Sequence, residues 1–416
     1  MLPGTNDGQL AETTIERVPP DFGNRLSADD LALITPSTLV ERITALGPFV
    51  TEHAAEAEAQ RKPVDAVVDA IHATGVFHHF VPKRYGGLEL SVMDFVDSML
   101  PLGAADASTG WVTAFTMEHN LLLALFPEEA QDEIFGAQPY VIAPGCAFPP
   151  GIATPVDGGF RLTGRWRYAS GVVHADWALA VGLDPANPAD ARWFAFPLDE
   201  ATVYDVWRMD GMAATGSNDF SVTDLFVPEH RTLALATMNT SSTPGAQLHD
   251  NPMYRAPITA FLGVASAIPI VGAAQGVVAR CREQLAGRVS IGVRQADRPA
   301  VQMALAQADV EVYLAELALR DAVVELMRLA GSADPGDVAR RARLRAQIVS
   351  ATSLCRSATR VVVDALGTTV HETSNPIQRA VRDIAVATGH VLHDRSAALE
   401  LHGKILLGLD PPAMLF

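Results

Sequence analysis

The chain has 416 residues, with 49% in the hydrophobic class and 19% charged, enough apolar material for a large core and more than one domain. Its formal net charge of -17 excludes a nucleic-acid partner held by a basic surface. Three scattered cysteines, Cys146, Cys281 and Cys355, match no zinc or redox spacing and read as small buried apolar residues of a reducing cytoplasm.

The first 35 residues carry neither the basic start nor the apolar run of a signal peptide, and read as a flexible polar tail. From Pro36 the pattern is helical. Leu39, Ile43, Leu46 and Val50 recur at helix spacing, as do Val64, Val67, Val68 and Ile71. FVPKRYGGLEL interrupts, a second helical run begins at Val92, and Ala105 to Phe126 reads as an interior helix. This helical domain spans 36–137.

Over 138–245 short runs alternate with Gly, Pro, Asn and Asp, the grammar of a β domain. In FRLTGRWRYAS, Phe160, Leu162, Trp166, Tyr168 and Ser170 share one parity, which puts Ser170 on the apolar face of a half-buried strand. Further strands are expected at Trp177–Val181, Trp193–Phe196 and Phe220–Val227. The remainder, 246–416, reads as a four-helix bundle with helices at Gly263–Arg288, Pro299–Ala330, Pro335–Leu366 and Pro376–Gly403. Prolines stand at three of the starts, and Gly331, Gly367 and Gly403 at the stops. Ala256 to Ala279 is uncharged and long enough to span a bilayer, but its Ala, Gly and Pro content suits a helix buried in a bundle, so no membrane partner is expected.

Several segments, in this order, resemble the acyl-CoA dehydrogenase superfamily: FVPKRYGGLEL, GMAATGSNDFSVTDLFVPEHR, and Arg288 to Gly292 followed by Pro299 to Ala306. Three others are similar to its two-component flavin-dependent monooxygenases, which include the hydroxyphenylacetate, hydroxylated-steroid and dibenzothiophene monooxygenases. These are DASTGWVTAFTMEH, GRWRYASGVVHADWALAVG and IQRAVRDIAVATGHVLHDRSAALELHGKILLG. The resemblance implies an α+β fold: an N-terminal helical domain, a middle β-barrel domain and a C-terminal four-helix bundle. It implies an oxygenase component that takes reduced FMN or FAD from a separate reductase, forms a C4a-hydroperoxide with O2, and hydroxylates a small aromatic or heteroaromatic substrate. A homotetramer in the cytoplasm is expected on the same ground.

Such chemistry needs a dry, apolar cleft with one hydrogen-bonding group beside flavin N5. The resemblance gives that place to Ser170, beside the alternative that the serine merely ends a strand. His390 is the candidate proton-transfer group, since an imidazole with an ordinary pKa of ~6.5 moves protons near neutrality. On one continuous helix Asp394, four residues on, would orient it, while His393 would be a bystander. His119 and Trp111 are expected at the substrate, and Trp207, Thr215 and Ser217 at the flavin. The resemblance also places Arg288 at a flavin phosphate, across a subunit interface. No glycine-rich dinucleotide fingerprint and no metal-ligand spacing are present. The rival readings are an acyl-CoA dehydrogenase with Glu372 as base, an amino-sugar N-hydroxylase, and a flavin-free binding protein.

Overall fold

A computed structural model describes residues 13–19, 26–290 and 292–410. Helices α1 (Ala28–Ala32), α2 (Pro36–Gln60), α3 (Asp65–His72), α4 (Val92–Ala105), α5 (Ala107–Leu123) and α6 (Glu128–Ala137) come first. Thr35 starts α2 with a reciprocal capping box to Thr38, and Ser91 starts α4 with the same device to Asp94. Asp106 caps α5 by accepting from the Thr109 N–H at 2.8 Å.

Seven strands form the middle layer: β1 (Gly145–Val156), β2 (Gly159–Ala169), β3 (Trp177–Asp184), β4 (Asn187–Pro197), β5 (Thr202–Tyr204), β6 (Asn218–Pro228) and β7 (Thr232–Ala234). Their order is β5-β6-β2-β1-β3-β4-β7, with β1 and β3 parallel. The expected barrel is not closed by this ladder. The terminal strands β5 and β7, three residues each, are not paired with one another among the described residues. The three strands anticipated from alternation lie within β3, β4 and β6.

Helix α7 (Pro244–Leu248) leads into the bundle of α8 (Ile258–Gly287), α9 (Pro299–Ala330), α10 (Val338–Leu366), α11 (Pro376–Ala387) and α12 (Arg395–Leu406). A two-stranded hairpin, β8 (Val289–Ser290) and β9 (Val293–Arg294), joins α8 to α9. The apolar stretch that passes for a membrane span is α8, whose most apolar window is 83% buried inside the protein. Its glycines let α4 approach closely. A Cβ on Gly272 would stand 2.4 Å from the Leu100 carbonyl oxygen, and one on Gly276 would stand 2.3 Å from that of Ala104.

Two expectations need correction. The loose N-terminal tail is not loose throughout. Ile15 N–H donates to Val203 O at 3.0 Å and Asp205 N–H to Thr13 O at 2.8 Å, so this segment docks on the free edge of β5. Within the same stretch Ser27 caps α1 by accepting from Asp30 N–H at 3.1 Å, and the remainder of the expected tail, 1–12 and 20–25, lies outside the described residues. Second, the anticipated helix Pro376–Gly403 is two helices. Thr388 ends α11, its hydroxyl bonding back to Ile384 O at 2.8 Å, while the Asp394 side chain caps α12 by accepting from Ala397 N–H at 3.0 Å. Gly403 consequently lies inside α12, and α10 begins at Val338 under an Asp337 cap rather than at Pro335.

Candidate active site between the sheet and the bundle

Four elements meet here: the end of β2, the loop before β6, one stripe of α5, and the turn between α11 and α12. Strand β2 does not keep its alternation to the end. A bulge between Trp166 and Ala169 puts Tyr168 at φ 66°, so Trp166 and Ala169 are buried while Tyr168 turns outward, half exposed. The parity argument that placed Tyr168 inside therefore fails at the bulge. Ser170 is half-buried just beyond it, followed by Gly171 at φ 73°.

The Ser170 hydroxyl is the outer member of a chain. Its oxygen lies 2.8 Å from Ser217 Oγ, which lies 2.6 Å from Thr215 Oγ1, which donates to the Met212 carbonyl at 2.8 Å. Each hydroxyl has one proton, so the last bond fixes the others. Thr215 spends its proton on the carbonyl, Ser217 must donate to Thr215, and Ser170 must donate to Ser217. Trp111 Nε1–H donates to Ser170 Oγ at 3.3 Å. What Ser170 has left to offer is one lone pair, so its half-buried oxygen is an acceptor.

The loop behind this chain is clamped from the bundle. Met212, at φ 54°, donates its N–H to the buried Asp383 carboxyl at 2.5 Å, and its carbonyl also accepts from Trp207 Nε1–H at 2.9 Å. Gly211 fits against the backbone of Arg382, where a Cβ would stand 2.3 Å from the carbonyl oxygen. Arg382 donates to Asp210 O and pairs with Glu58 on α2 at 2.5 Å. Burial first, and then the nearby Asp106 carboxylate, lift Asp383 to about 7.

On α5, Trp111, Phe115, Glu118 and Leu122 share one face by their spacing, with His119 beside it. Trp111 stacks on Phe115 at 4.4 Å between ring centroids. His390 stands edge-on to both, at 5.6 Å from Trp111 and 6.1 Å from Phe115. His119 is buried, stands 5.9 Å from Phe115, and bonds through Nδ1 to the Ala143 carbonyl at 2.6 Å.

His390 lies not inside a helix but at the head of the turn Val391–His393, where its Nδ1 accepts from Leu392 N–H at 3.3 Å. The expected Asp394 partner is absent, because breaking the helix turned that carboxylate to cap α12. Desolvation alone holds His390 down to about 4, and burial does the same to His119. Both imidazoles are neutral at pH 7. His393, the expected bystander, is itself buried, with Nδ1 3.5 Å from Thr352 Oγ1.

Ser170, His390, Trp111, His119, Trp207, Thr215 and Ser217 thus fall in one neighbourhood. Arg288 does not join them within one chain. It caps the far end of α8, donating to Leu366 O at 2.6 Å, about 33 Å of helix rise from Ser266 at the His393 end. Glu372 is exposed in the turn before α11, the whole helix away from His390. Sequence reasoning missed Phe115, Met212 and Glu118, and saw Asp383 only as a carboxylate too far along the helix to bond His390, not as a clamp. The i, i+4 spacing of Phe115 between Trp111 and His119 was a legible signal, whereas the Asp383 clamp was not. A half-buried acceptor in an apolar wall, beside a buried tryptophan and neutral imidazoles, fits the hydrogen-bonding edge of a flavin ring.

Family models agree with this architecture: residues 46–135 match "Acyl-CoA dehydrogenase, N-terminal domain" and 264–395 match "Acyl-CoA dehydrogenase, C-terminal domain". A pigment production hydroxylase of Rhodococcus sp. (strain ATCC 21145) is 35% identical, covering 90% of this chain and 98% of its own. The oxygenase component of an FADH(2)-dependent resorcinol hydroxylase from Rhizobium sp. (strain MTP-10005) is 31% identical, covering 90% and 95%. XiaF from Streptomyces sp., solved with FADH2 and glycerol, superposes with a TM-score of 0.85 at 31% identity, covering 92% of this chain and 98% of that one. The chain belongs to the acyl-CoA dehydrogenase superfamily and, within it, to the oxygenase components of two-component flavin-dependent monooxygenases.

Proposed function

We propose that this oxygenase hydroxylates a small aromatic ring held against Trp111, Phe115, His119 and His390, with the reduced flavin edge at Ser170. The observation that carries this is the directed hydroxyl chain, whose outer oxygen is left as an acceptor. Reduced flavin presents an N–H at N5, which such an acceptor holds in place. Bound flavin supplies the oxygen chemistry, and the chain's residues exclude water and stray protons. Trp207, Thr215 and Ser217 form the flavin-facing loop. His390, neutral at pH 7, takes up or returns a proton on the substrate side. The resorcinol and FADH2 named for relatives support a phenol-class ring and reduced FAD, with reduced FMN as the alternative flavin.

A separate flavin reductase supplies that flavin, and the site of action is the cytoplasm. The chain works as a homotetramer. Supporting this, α9 exposes Met303, Val310, Tyr313, Leu317 and Val324, a seam with the three- and four-residue spacing that receives another helix. In that assembly Arg288 of one copy reaches the flavin phosphate of another. The test mixes the chain with photoreduced FAD or FMN and oxygen, with and without phenols, indoles and thiophenes. A matching ring diverts oxygen from hydrogen peroxide into product, and His390→Ala returns it to peroxide. Stoichiometric peroxide whatever ring is present defeats the proposal.

A further inference from the structure

Segment 13–19 bonds to more than the edge of β5. Val18 N–H donates to Val173 O at 2.8 Å, and the Arg17 guanidinium donates to Ala175 O at 3.0 Å. Val173 and Ala175 are buried and belong to the turn that follows Ser170 and Gly171. At the other end Ile15 N–H donates to Val203 O at 3.0 Å. Thr13 O accepts there from Asp205 N–H at 2.8 Å, two residues short of Trp207.

The local sequence suits this course. Thr13, Thr14, Ile15 and Val18 are β-branched, and Pro19 biases the residue before it away from helix, so the segment runs extended. An extended chain advances ~3.3 Å per residue, so Ile15 to Val18 spans ~10 Å. That equals two strand spacings of ~4.8 Å, and two spacings separate β5 from β2 in the order β5-β6-β2. The segment therefore crosses the ends of β5, β6 and β2, beside which Trp207, Ser217 and Ser170 stand. Ser170 and Ser217 are bonded directly, whereas Trp207 joins them through the Met212 carbonyl. The crossing segment adds a backbone tie between the two outer strands.

We propose that segment 13–18 is a positioning strap that sets the spacing between Ser170 and Trp207, and so couples its own docking to flavin affinity. This rests on the flavin reading of that site and deepens it. The strap lies ahead of residue 46, where the family match begins. His174 Nε2, 2.8 Å from Asp65 Oδ1, also holds the turn from α3, so releasing the strap loosens the turn without unfolding it. Linkage is reciprocal: a strap that favours flavin is itself held down by flavin, by the same factor.

The experiment uses the full chain and FAD reduced with dithionite under argon. Arg17→Met combined with Val18→Pro deletes both donors to the turn, and the Kd for reduced FAD should rise ~10-fold. Arg17→Lys, which keeps a cationic donor, should stay within ~3-fold. In the wild type, hydrogen exchange at the Ile15 and Val18 amides should slow by the same ~10-fold when reduced FAD binds. That readout needs no substitution, so it decides the matter even if the double variant fails to fold. An unchanged Kd in the folded double variant, or strap amides indifferent to flavin, overturns the strap and leaves the flavin site standing. A wild type that takes up no reduced flavin removes the reading of the site and the strap's role together.

Discussion

The two walls of the cleft are built on different physics. On the sheet side every polar group has a partner: Ser170, Ser217, Thr215 and Met212 form one directed chain, anchored through Trp207 and Asp383. On the helical side, among the described residues, His390 keeps one weak bond, Glu118 has an oxygen without a partner, and His393 has a ring nitrogen without one. The first wall is set by geometry and the second by desolvation. Substitutions within the hydroxyl chain should therefore act much alike across the pH range, and those at the buried Asp383 behind it or on the helical wall should change how the protein responds to pH.

Ser170→Ala should have the largest effect. It removes the acceptor and, by the scale of losing one preorganised group at a reacting centre, should hasten peroxide release from the flavin-loaded protein by about 100-fold. The acceleration should be equal at pH 6 and pH 8, measured by peroxide-coupled fluorescence after mixing with oxygen. A rate that stays at the wild-type value removes Ser170 from the flavin edge.

Next comes the clamp. Asp383→Ala strands the buried Met212 N–H, at a cost of ~1–3 kcal/mol in unfolding free energy, and frees the loop that holds Trp207 and Thr215. Asp383→Asn keeps an acceptor oxygen and should recover most of that loss. Urea unfolding reads the stability, and fluorescence titration with reduced flavin under argon reads the loop. If the two variants behave alike, the Met212 bond contributes nothing.

The helical wall is sharpened by His393. Burial, aided by the neighbouring His390, holds it at about 3, against ~6.5 when unfolded. Between those values the unfolded chain binds a proton that the native one refuses, so this group lowers stability as pH falls from about 6.5 toward 3. From pH 7 to pH 5 its share is about 2 kcal/mol. His393→Gln should flatten the pH dependence of urea unfolding by that amount, and an unchanged slope would place the histidine in water.

The same contrast explains what the sequence makes legible. Helix spacing marks the face of α2 that buries Leu39 and Ile43, and resemblance alone gathers Ser170, His390, Trp111 and His119. What stayed hidden depends on single backbone events. One bulge reverses the parity of Tyr168, and one break turns Asp394 from a partner of His390 into a cap. Gly389 and Asp394 are ordinary stop and start residues, so that break had a local signal. The Asp383–Met212 bond joins residues 171 apart in the chain, and no periodicity encodes it.

The smallest expected effect separates direction from mere contact on the sheet wall. Ser217→Ala leaves Ser170 in place but removes the acceptor for its proton. That proton is then free to turn outward, so Ser170 faces the flavin as a donor for part of the time, and peroxide release should rise ~10-fold. Trp111→Phe keeps a ring stacked on Phe115 and deletes the long 3.3 Å bond into Ser170, which leaves the proton order intact. Its change should stay within ~3-fold. Reversal of that ranking, with Trp111→Phe the more damaging, means that Ser170 is held by packing rather than by the ordered hydroxyls behind it.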